Sequence, residues 1–82
     1  SCNGMHLERG VSETNSRQAS FKERVIECSE EVCCLADSTK IGLKSSFFFA
    51  QIADLTTVVT NEDADPGFTA ALANQGIEVL RA

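Results

Sequence analysis

The chain has 82 residues, 43% of them hydrophobic, which is enough for one compact domain with a modest core and no more. Seven basic residues stand against twelve acidic ones, a net charge of -5 without a basic cluster, so nucleic-acid binding by this segment is not expected. The apolar runs at residues 32–36 and 47–50 are far shorter than the roughly 20 residues of a membrane-spanning helix, so no membrane partner is expected either.

The first third of the chain predicts a loop and then a helix. Residues 7–15 are polar, which is typical of a loop, and Asn15 at their end can cap a helix. Phe21 and Val25 lie four residues apart, with charged residues 22–24 between them. This spacing predicts an amphipathic helix that packs its apolar side on a sheet and exposes its charged side to water.

The middle of the chain predicts three strands. Residues 32–36 are continuously apolar, which is typical of a central parallel strand covered on both faces. Residues 45–52, with three consecutive phenylalanines, fit either a strand or a short helix by length, and their aromatic content favours a strand. Residues 56–60 are almost entirely β-branched and predict another buried strand.

The last third predicts a helix followed by a strand. Asp65 and Pro66 form a strong helix start, Gly76 is placed to end the helix, and residues 77–81 complete the unit as a strand. Two strands joined through a helix should lie parallel in one sheet. The expected fold class is therefore α/β, with a mostly parallel sheet flanked by helices in three layers.

The cysteine spacing argues against disulfides and against a metal. There are four cysteines, at positions 2, 28, 33 and 34. Cys33 and Cys34 are adjacent in a predicted strand and should point to opposite faces, so they cannot readily hold one ion together. We expect buried, reduced thiols in a cytoplasmic protein. The glycines are scattered and form no phosphate-binding loop, so no cofactor is expected.

The candidate ligand site lies at the carboxyl edge of the predicted parallel sheet, where loops converge. The residues expected there are Asn3, Gly4, Asp37, Lys40 and Asn61. Lys40 follows a buried strand directly, and its ammonium group can pair with a phosphate or a carboxylate. The alternative is that Asp37 only satisfies backbone donors at the strand end and that Lys40 is solvated.

No catalytic residue is assigned. His6 is the single histidine, and no serine, cysteine or aspartate stands at the spacing of a catalytic triad around it. We expect His6 to be a surface residue of a loop.

Several motifs follow one another along the chain. They are residues 3–11, the Leu-Ala-Asp-Ser-Thr-Lys-Ile-Gly segment at residues 35–42, and the shorter segments 58–61, 64–66 and 76–79. Together they resemble the carboxy-terminal sensor domain of DeoR-type transcriptional repressors over nearly the whole chain. The resemblance implies a fold similar to ribose-5-phosphate isomerase and glucosamine-6-phosphate deaminase. It also implies a phosphorylated sugar that binds at the sheet edge and relieves repression, with Lys40 and Asp37 lining the pocket and Asn3 and Gly4 on the neighbouring loop.

The resemblance further implies that residues 1–82 form a single, partial effector-binding domain, the distal half of the sensor, and that DNA is contacted only through an upstream helix-turn-helix domain outside this chain. A sheet edge without its neighbour predicts a homo-oligomer. The family usually has an acidic residue where His6 stands and typically an aspartate where Asn61 stands. Fewer acidic groups fit a sensor better than an enzyme. The alternative is a sugar-phosphate isomerase or deaminase of the same fold, with Asp37 or His6 as the base.

Overall fold

The computed structural model describes residues 1–82, and it contains six strands, two α-helices and two short 3-10 turns. The strands are β1 (Gly4–His6), β2 (Gly10–Glu13), β3 (Cys33–Leu35), β4 (Phe47–Ala50), β5 (Thr57–Thr60) and β6 (Glu78–Arg81). The helices are α1 (Ser16–Glu27) and α2 (Pro66–Asn74), and the 3-10 turns span Ser38–Lys40 and Ile52–Asp54.

The strands form two separate three-stranded sheets. One has the order β1-β2-β4 and is antiparallel, and the other has the order β3-β5-β6 and is parallel. The α/β class is confirmed, but the mostly parallel sheet is wrong because half of the strands are antiparallel. The reason is the short connection between His6 and Gly10, since a turn of this length can join only antiparallel strands.

Strand β2 lies where the sequence predicts a loop, and all four of its residues are buried. Its polar side chains find partners inside the protein: the Ser12 hydroxyl accepts from the Ser45 N–H at 2.8 Å, and Glu13 pairs with the Lys22 ammonium at 2.6 Å. Buried polar groups are stable when they are hydrogen-bonded in this way. The loop expectation was therefore wrong because it treated polarity as a sign of exposure.

Helix α1 begins as predicted, and Asn15 caps it by accepting from the Arg17 and Gln18 N–H groups at 2.9 and 3.0 Å. The predicted apolar side is wrong, because Phe21 is 67% exposed and Ala19 is the buried residue of the helix. The helix packs on β4 and β2 with this small residue inward, and Lys22 turns toward the sheet.

The parallel sheet has one covered and one open face. Cys34 and Val58 are buried on the covered face, whereas Leu35 is 56% and Leu80 47% exposed on the other. The strand predicted at residues 32–36 is therefore present, but its coverage on both faces is wrong. Helices do not lie on both sides of this sheet, so the expected three layers are not formed within the chain.

Helix α2 has the predicted boundaries. The Asp65 carboxylate accepts from the Phe68 N–H at 3.1 Å, Pro66 is the first helical residue, and Gly76 follows the helix with φ of +84°. The helix packs against β6, and Leu72 is fully buried in the core. The parallel β5-α2-β6 connection predicted from the sequence is confirmed.

One core of thirteen buried residues includes side chains from both sheets, among them Val11 and Val58. The backbone of β1 also reaches the segment that follows β3, because Met5 pairs with Ile41 in a parallel bridge and its carbonyl accepts from the Gly42 N–H at 2.7 Å. Neither helix has the length and apolar character needed to cross a membrane.

Candidate functional site at the carboxyl edge of the parallel sheet

The loops that leave β3 and β5 meet at one edge of the parallel sheet. The two strands are neighbours and run in the same direction, so their carboxyl ends lie side by side. The side-chain oxygen of Asn61, directly after β5, accepts from the Ser38 N–H at 2.8 Å. The structure therefore brings together Asn61 and the segment that contains Asp37 and Lys40.

Asp37 is held in place by its own loop. One carboxylate oxygen accepts from the Thr39 N–H at 2.9 Å and from the Thr39 hydroxyl, and the other lies 3.3 Å from the Lys40 ammonium. The hydrogen bonds from the Thr39 hydroxyl and N–H, followed by Lys40, hold the pKa of Asp37 below its usual value. Asp37 is thus an ionised cap of the 3-10 turn, the role that the sequence allows as an alternative.

Lys40 is partly exposed and only loosely bound. Its ammonium lies 3.3 Å from the Asp37 carboxylate and 3.4 Å from the Thr39 hydroxyl, and about a third of its side chain is accessible. Exposed ion pairs of this kind contribute about 0–1 kcal/mol. An incoming anion can therefore draw the ammonium away from Asp37 at little cost.

An open cleft of about 320 Å³ lies beside Asp37 and Asn61, and Lys40 is next to this cleft in the chain but is not part of its lining. Asp37, Thr60 and Asn61 supply its polar lining, and Leu35 and Val59 supply part of its apolar lining. The Thr60 hydroxyl is buried, with the residue only 3% exposed, and it has no hydrogen-bond partner. A buried polar group left without a partner costs about 1–3 kcal/mol, and this hydroxyl lies on the covered face of β5 with Val58, shielded from the cleft.

Arg81 fixes the loop that carries Asn61. Its guanidinium donates to the Glu62 carbonyl at 2.8 Å and to the Thr69 hydroxyl at 2.7 Å, and so it ties the loop after β5 to α2 and β6. Arg81 is not among the site residues predicted from the sequence. Its position at the carboxyl end of the last predicted strand is the signal that could have placed it near this edge of the sheet.

Asn3 and Gly4 lie elsewhere. Gly4 begins β1 of the antiparallel sheet and Asn3 directly precedes it, so neither residue follows a strand of the parallel sheet or lines the cleft at its edge. The Asn3 side chain accepts from the Thr14 N–H at 3.1 Å. A Cβ at Gly4 would lie 2.7 Å from the Leu43 carbonyl oxygen, so a glycine is needed for the segment after Lys40 to approach β1.

His6 closes the turn between β1 and β2. Its Nδ1 accepts from the Arg9 N–H at 3.1 Å and from the Glu8 N–H at 3.3 Å. An acidic side chain at this position can accept the same two donors. His6 therefore lies at the end of a strand and has a structural role in the hairpin.

The largest cleft, about 610 Å³, lies between α1 and β4. Its charged lining consists of Glu23, Glu27 and Asp54 against Arg9, whose guanidinium lies 4.8 Å from the centre of the Phe48 ring. Three carboxylates repel an anionic ligand, so this larger cleft is a poorer candidate for a phosphate. No group of three or more His, Cys, Asp or Glu side chains could hold a metal ion.

Comparison with known proteins identifies the family. Residues 1–62 match the family model described as the DeoR C-terminal sensor domain. The chain is 33% identical over 79 residues to the uncharacterized HTH-type transcriptional regulator YulB of Bacillus subtilis, covering 96% of this chain and 31% of that protein. It is 26% identical over 78 residues to the HTH-type transcriptional regulator GlpR of Haloferax volcanii, covering 95% and 31%.

A third relative is the HTH-type transcriptional repressor GlcR of Bacillus subtilis, which is 25% identical over 73 residues, covering 89% of this chain and 28% of that protein. The chain thus spans less than a third of the length of these three relatives. They are named as transcriptional regulators, which implies a non-enzymatic role. On the strength of the match over residues 1–62, the chain belongs to the family of DeoR C-terminal sensor domains.

Proposed function

We propose that this chain is the effector-binding part of a DeoR-type transcriptional repressor, and that a phosphorylated sugar binds at the carboxyl edge of β3 and β5 and relieves repression. The observation that carries the proposal is the hydrogen bond between the Ser38 N–H and the Asn61 side chain, which joins the two loops beside one cleft. The relatives named as HTH-type regulators support DNA contact through a helix-turn-helix segment elsewhere in the protein.

The polar groups around the cleft suit a polyhydroxylated ligand. The Asp37 carboxylate can accept hydrogen bonds from sugar hydroxyls, and the Asn61 amide nitrogen, which has no partner within the chain, can donate. A few directed polar groups above an apolar floor are typical of small-molecule sites.

Lys40 supplies a mobile positive charge in this proposal. The ammonium pairs with Asp37 when no ligand is bound and turns to a ligand oxygen when a sugar phosphate enters. Asn3 and Gly4 do not line the cleft. They act indirectly, by holding the start of β1 in place against the segment that follows Lys40.

Sensing is favoured over turnover. A general base must be free to take a proton from the substrate. The pKa of Asp37 is held below its usual value by Thr39, which makes its carboxylate a weak base, and the Nδ1 of His6 accepts two backbone N–H groups. Turnover of ribose 5-phosphate or glucosamine 6-phosphate by the intact protein would favour an isomerase or deaminase instead.

Self-association belongs to the same proposal. Leu35, Val59 and Leu80 are in register across the three strands of the parallel sheet on its open face. Parallel sheets are normally covered on both faces, and an apolar row of this kind favours contact with a second copy of the chain.

Calorimetric titration of the full-length regulator tests the effector site. Ribose 5-phosphate and glucosamine 6-phosphate are the probes, and each unphosphorylated sugar is the ligand control. We expect Lys40→Ala to weaken binding of the phosphorylated sugar by at least about 10-fold, because a hydrogen bond to a charged group contributes about 1.5–3 kcal/mol. Lys44→Ala is the matched protein control, since Lys44 is exposed in the same segment and makes no hydrogen bond through its side chain.

The outcomes separate the parts of the proposal. Unchanged affinity in Lys40→Ala would remove Lys40 from the site. Equal loss in Lys40→Ala and Lys44→Ala would indicate only a general effect of charge. Failure of both sugar phosphates to bind the full-length protein would count against this effector class.

A further inference from the structure

Two cysteines that are far apart in the sequence meet in the core. The Sγ atoms of Cys2 and Cys34 are 3.9 Å apart, the Cys34 thiol donates to the Cys2 sulfur, and both residues are buried. Cys2 precedes β1 of the antiparallel sheet, and Cys34 is the central residue of β3 in the parallel sheet. The pair therefore lies where the two sheets join.

We propose that Cys2 and Cys34 form a reversible disulfide, an oxidant-responsive link between the two sheets. A disulfide bond is about 2.05 Å long, so the sulfur atoms must approach by about 2 Å. Rotation of the side chains can supply most of this movement, because Cys2 lies outside the strands. Disulfides in cytosolic proteins are usually transient and linked to redox sensing, which fits a regulatory protein.

We assign Cys2 as the nucleophile of the pair, because its sulfur accepts the hydrogen bond from the Cys34 thiol. The hydrogen bond from Cys34 and the nearby Lys22 ammonium lower the pKa of Cys2, against the opposing effect of burial. The same hydrogen bond and burial raise the pKa of Cys34, which therefore keeps its proton until Cys2 has reacted. Thiolates, not thiols, react with oxidants.

Hydrogen peroxide is the oxidant class that this buried pair can admit. A groove of about 160 Å³ between α1 and β3 is lined in part by Cys34, Phe21 and Val25, and it is large enough for a molecule slightly bigger than water. The groove reaches the Cys34 end of the pair, and the Cys2 sulfur lies 3.9 Å beyond the Cys34 sulfur. A bulky disulfide such as oxidised glutathione does not fit in that volume. The exposed sides of Phe21 and Val25 thus border the route to the pair.

The reaction balances with one peroxide. The Cys2 thiolate attacks one peroxide oxygen, the O–O bond breaks, and the departing hydroxide takes up the proton that Cys2 released, which gives water and a sulfenic acid on Cys2. The Cys34 sulfur then attacks the Cys2 sulfur and the S–O bond breaks. The hydroxyl leaves with the Cys34 proton as a second water. The two thiols are oxidised by two electrons and the peroxide is reduced.

The other two cysteines provide internal controls. Cys28 and Cys33 are both exposed. Cys33 is adjacent to Cys34 but points to the opposite face of β3, so it cannot replace Cys34 as the partner of Cys2.

The experiment uses the full chain with Cys28→Ser and Cys33→Ser, which leaves only the buried pair. The folded protein is treated with hydrogen peroxide, denatured in the presence of a maleimide, and analysed by intact mass and peptide mapping. We expect the loss of two hydrogens, no maleimide label, and a cross-linked peptide joining Cys2 to Cys34 that a phosphine reductant separates. A third substitution, Cys34→Ser, should leave Cys2 without the cross-link.

The same hydrogen peroxide treatment in concentrated guanidinium chloride tests whether the folded structure is what brings Cys2 and Cys34 together. The cross-link should form much more slowly there, because unfolding separates the two sulfur atoms by a long flexible loop. Two labelled cysteines after peroxide treatment of the folded protein, or oxidation of Cys2 to sulfinic acid without a cross-link, would overturn the proposal.

Discussion

The two sheets use their polar side chains in different ways. In the antiparallel sheet, Ser12 and Glu13 are buried and each is paired with another group of the chain. At the end of the parallel sheet, the Thr60 hydroxyl is buried without a partner, and the Asn61 amide nitrogen donates no hydrogen bond to another group of the chain. The antiparallel sheet thus pairs its buried polar side chains within the chain, whereas the end of the parallel sheet leaves polar groups without partners.

The largest expected effect is a difference in the free energy of unfolding between two leucine variants, one in the core and one on the open face of the parallel sheet. Leu72→Ala removes a fully buried side chain and should lower the free energy of unfolding by about 2–5 kcal/mol. Leu80→Ala makes the same chemical change on the open face, where the residue is 47% exposed in the single chain, and should cost less than about 1 kcal/mol when measured on the monomer at low protein concentration. Chemical denaturation of both variants measures the difference.

The Leu80→Ala variant also tests self-association through the open face. Light scattering at micromolar concentration should show a dimer or larger assembly for the unaltered chain and a shift toward the monomer for Leu80→Ala. A monomeric unaltered chain would contradict the association. A stability loss in Leu80→Ala equal to that in Leu72→Ala would mean that the open face is covered in solution.

The next effect concerns the polar pair under α1. Lys22→Met keeps the aliphatic stem but leaves the Glu13 carboxylate nearly buried without its ammonium partner, so the free energy of unfolding should fall by about 1–3 kcal/mol. The matched change Arg24→Met breaks the exposed pair with Glu27 and should cost less than about 0.5 kcal/mol. Similar losses in thermal or chemical denaturation would show that the Glu13 pair is as solvated as the exposed one.

The smallest expected effect is the contribution of Asp37, at the candidate site, to the pH dependence of the free energy of unfolding. The pKa of Asp37 is lower in the folded chain than in the unfolded chain, where it is about 3.9, so its carboxylate stabilises the fold above that value. This contribution is lost as the pH falls through the lower, folded pKa. The stability advantage of the unaltered chain over Asp37→Asn should therefore shrink as the pH is lowered from about 5.

Denaturation midpoints measured across this pH range provide the check. Asp63→Asn removes the same charge at a side chain that makes no hydrogen bond, and so it reports the general effect of net charge. If the difference in stability between the unaltered chain and Asp37→Asn stays constant with pH, the carboxylate does not cap the turn in solution.

Local signals in the sequence predicted much of the fold. Asn15 and Asp65 cap their helices, Gly76 follows the second one, and residues 57–60 form a strand, because these features depend on neighbouring residues. The same holds for the meeting of Asp37 with Asn61, since adjacent parallel strands must end at the same edge.

The errors arose where distant residues decide the environment. Glu13 is polar, and only its pairing with Lys22 allows β2 to be buried. The place of Gly4 in the antiparallel sheet depends on pairing with β2 and on the approach of Leu43, and neither contact can be predicted from the neighbouring residues. The proximity of Cys2 to Cys34 could not be read from spacing, since it requires both sheets to be in place.

The segment that carries Lys40 is fastened on both sides. Before Lys40, the Ser38 N–H is bonded to Asn61, and after it, the Gly42 N–H is bonded to the Met5 carbonyl. Fixing the backbone of a free residue costs about 1–2 kcal/mol, and here folding has already met that cost. The backbone at Lys40 is therefore preorganised, so an anion that contacted its ammonium would not first have to order the loop.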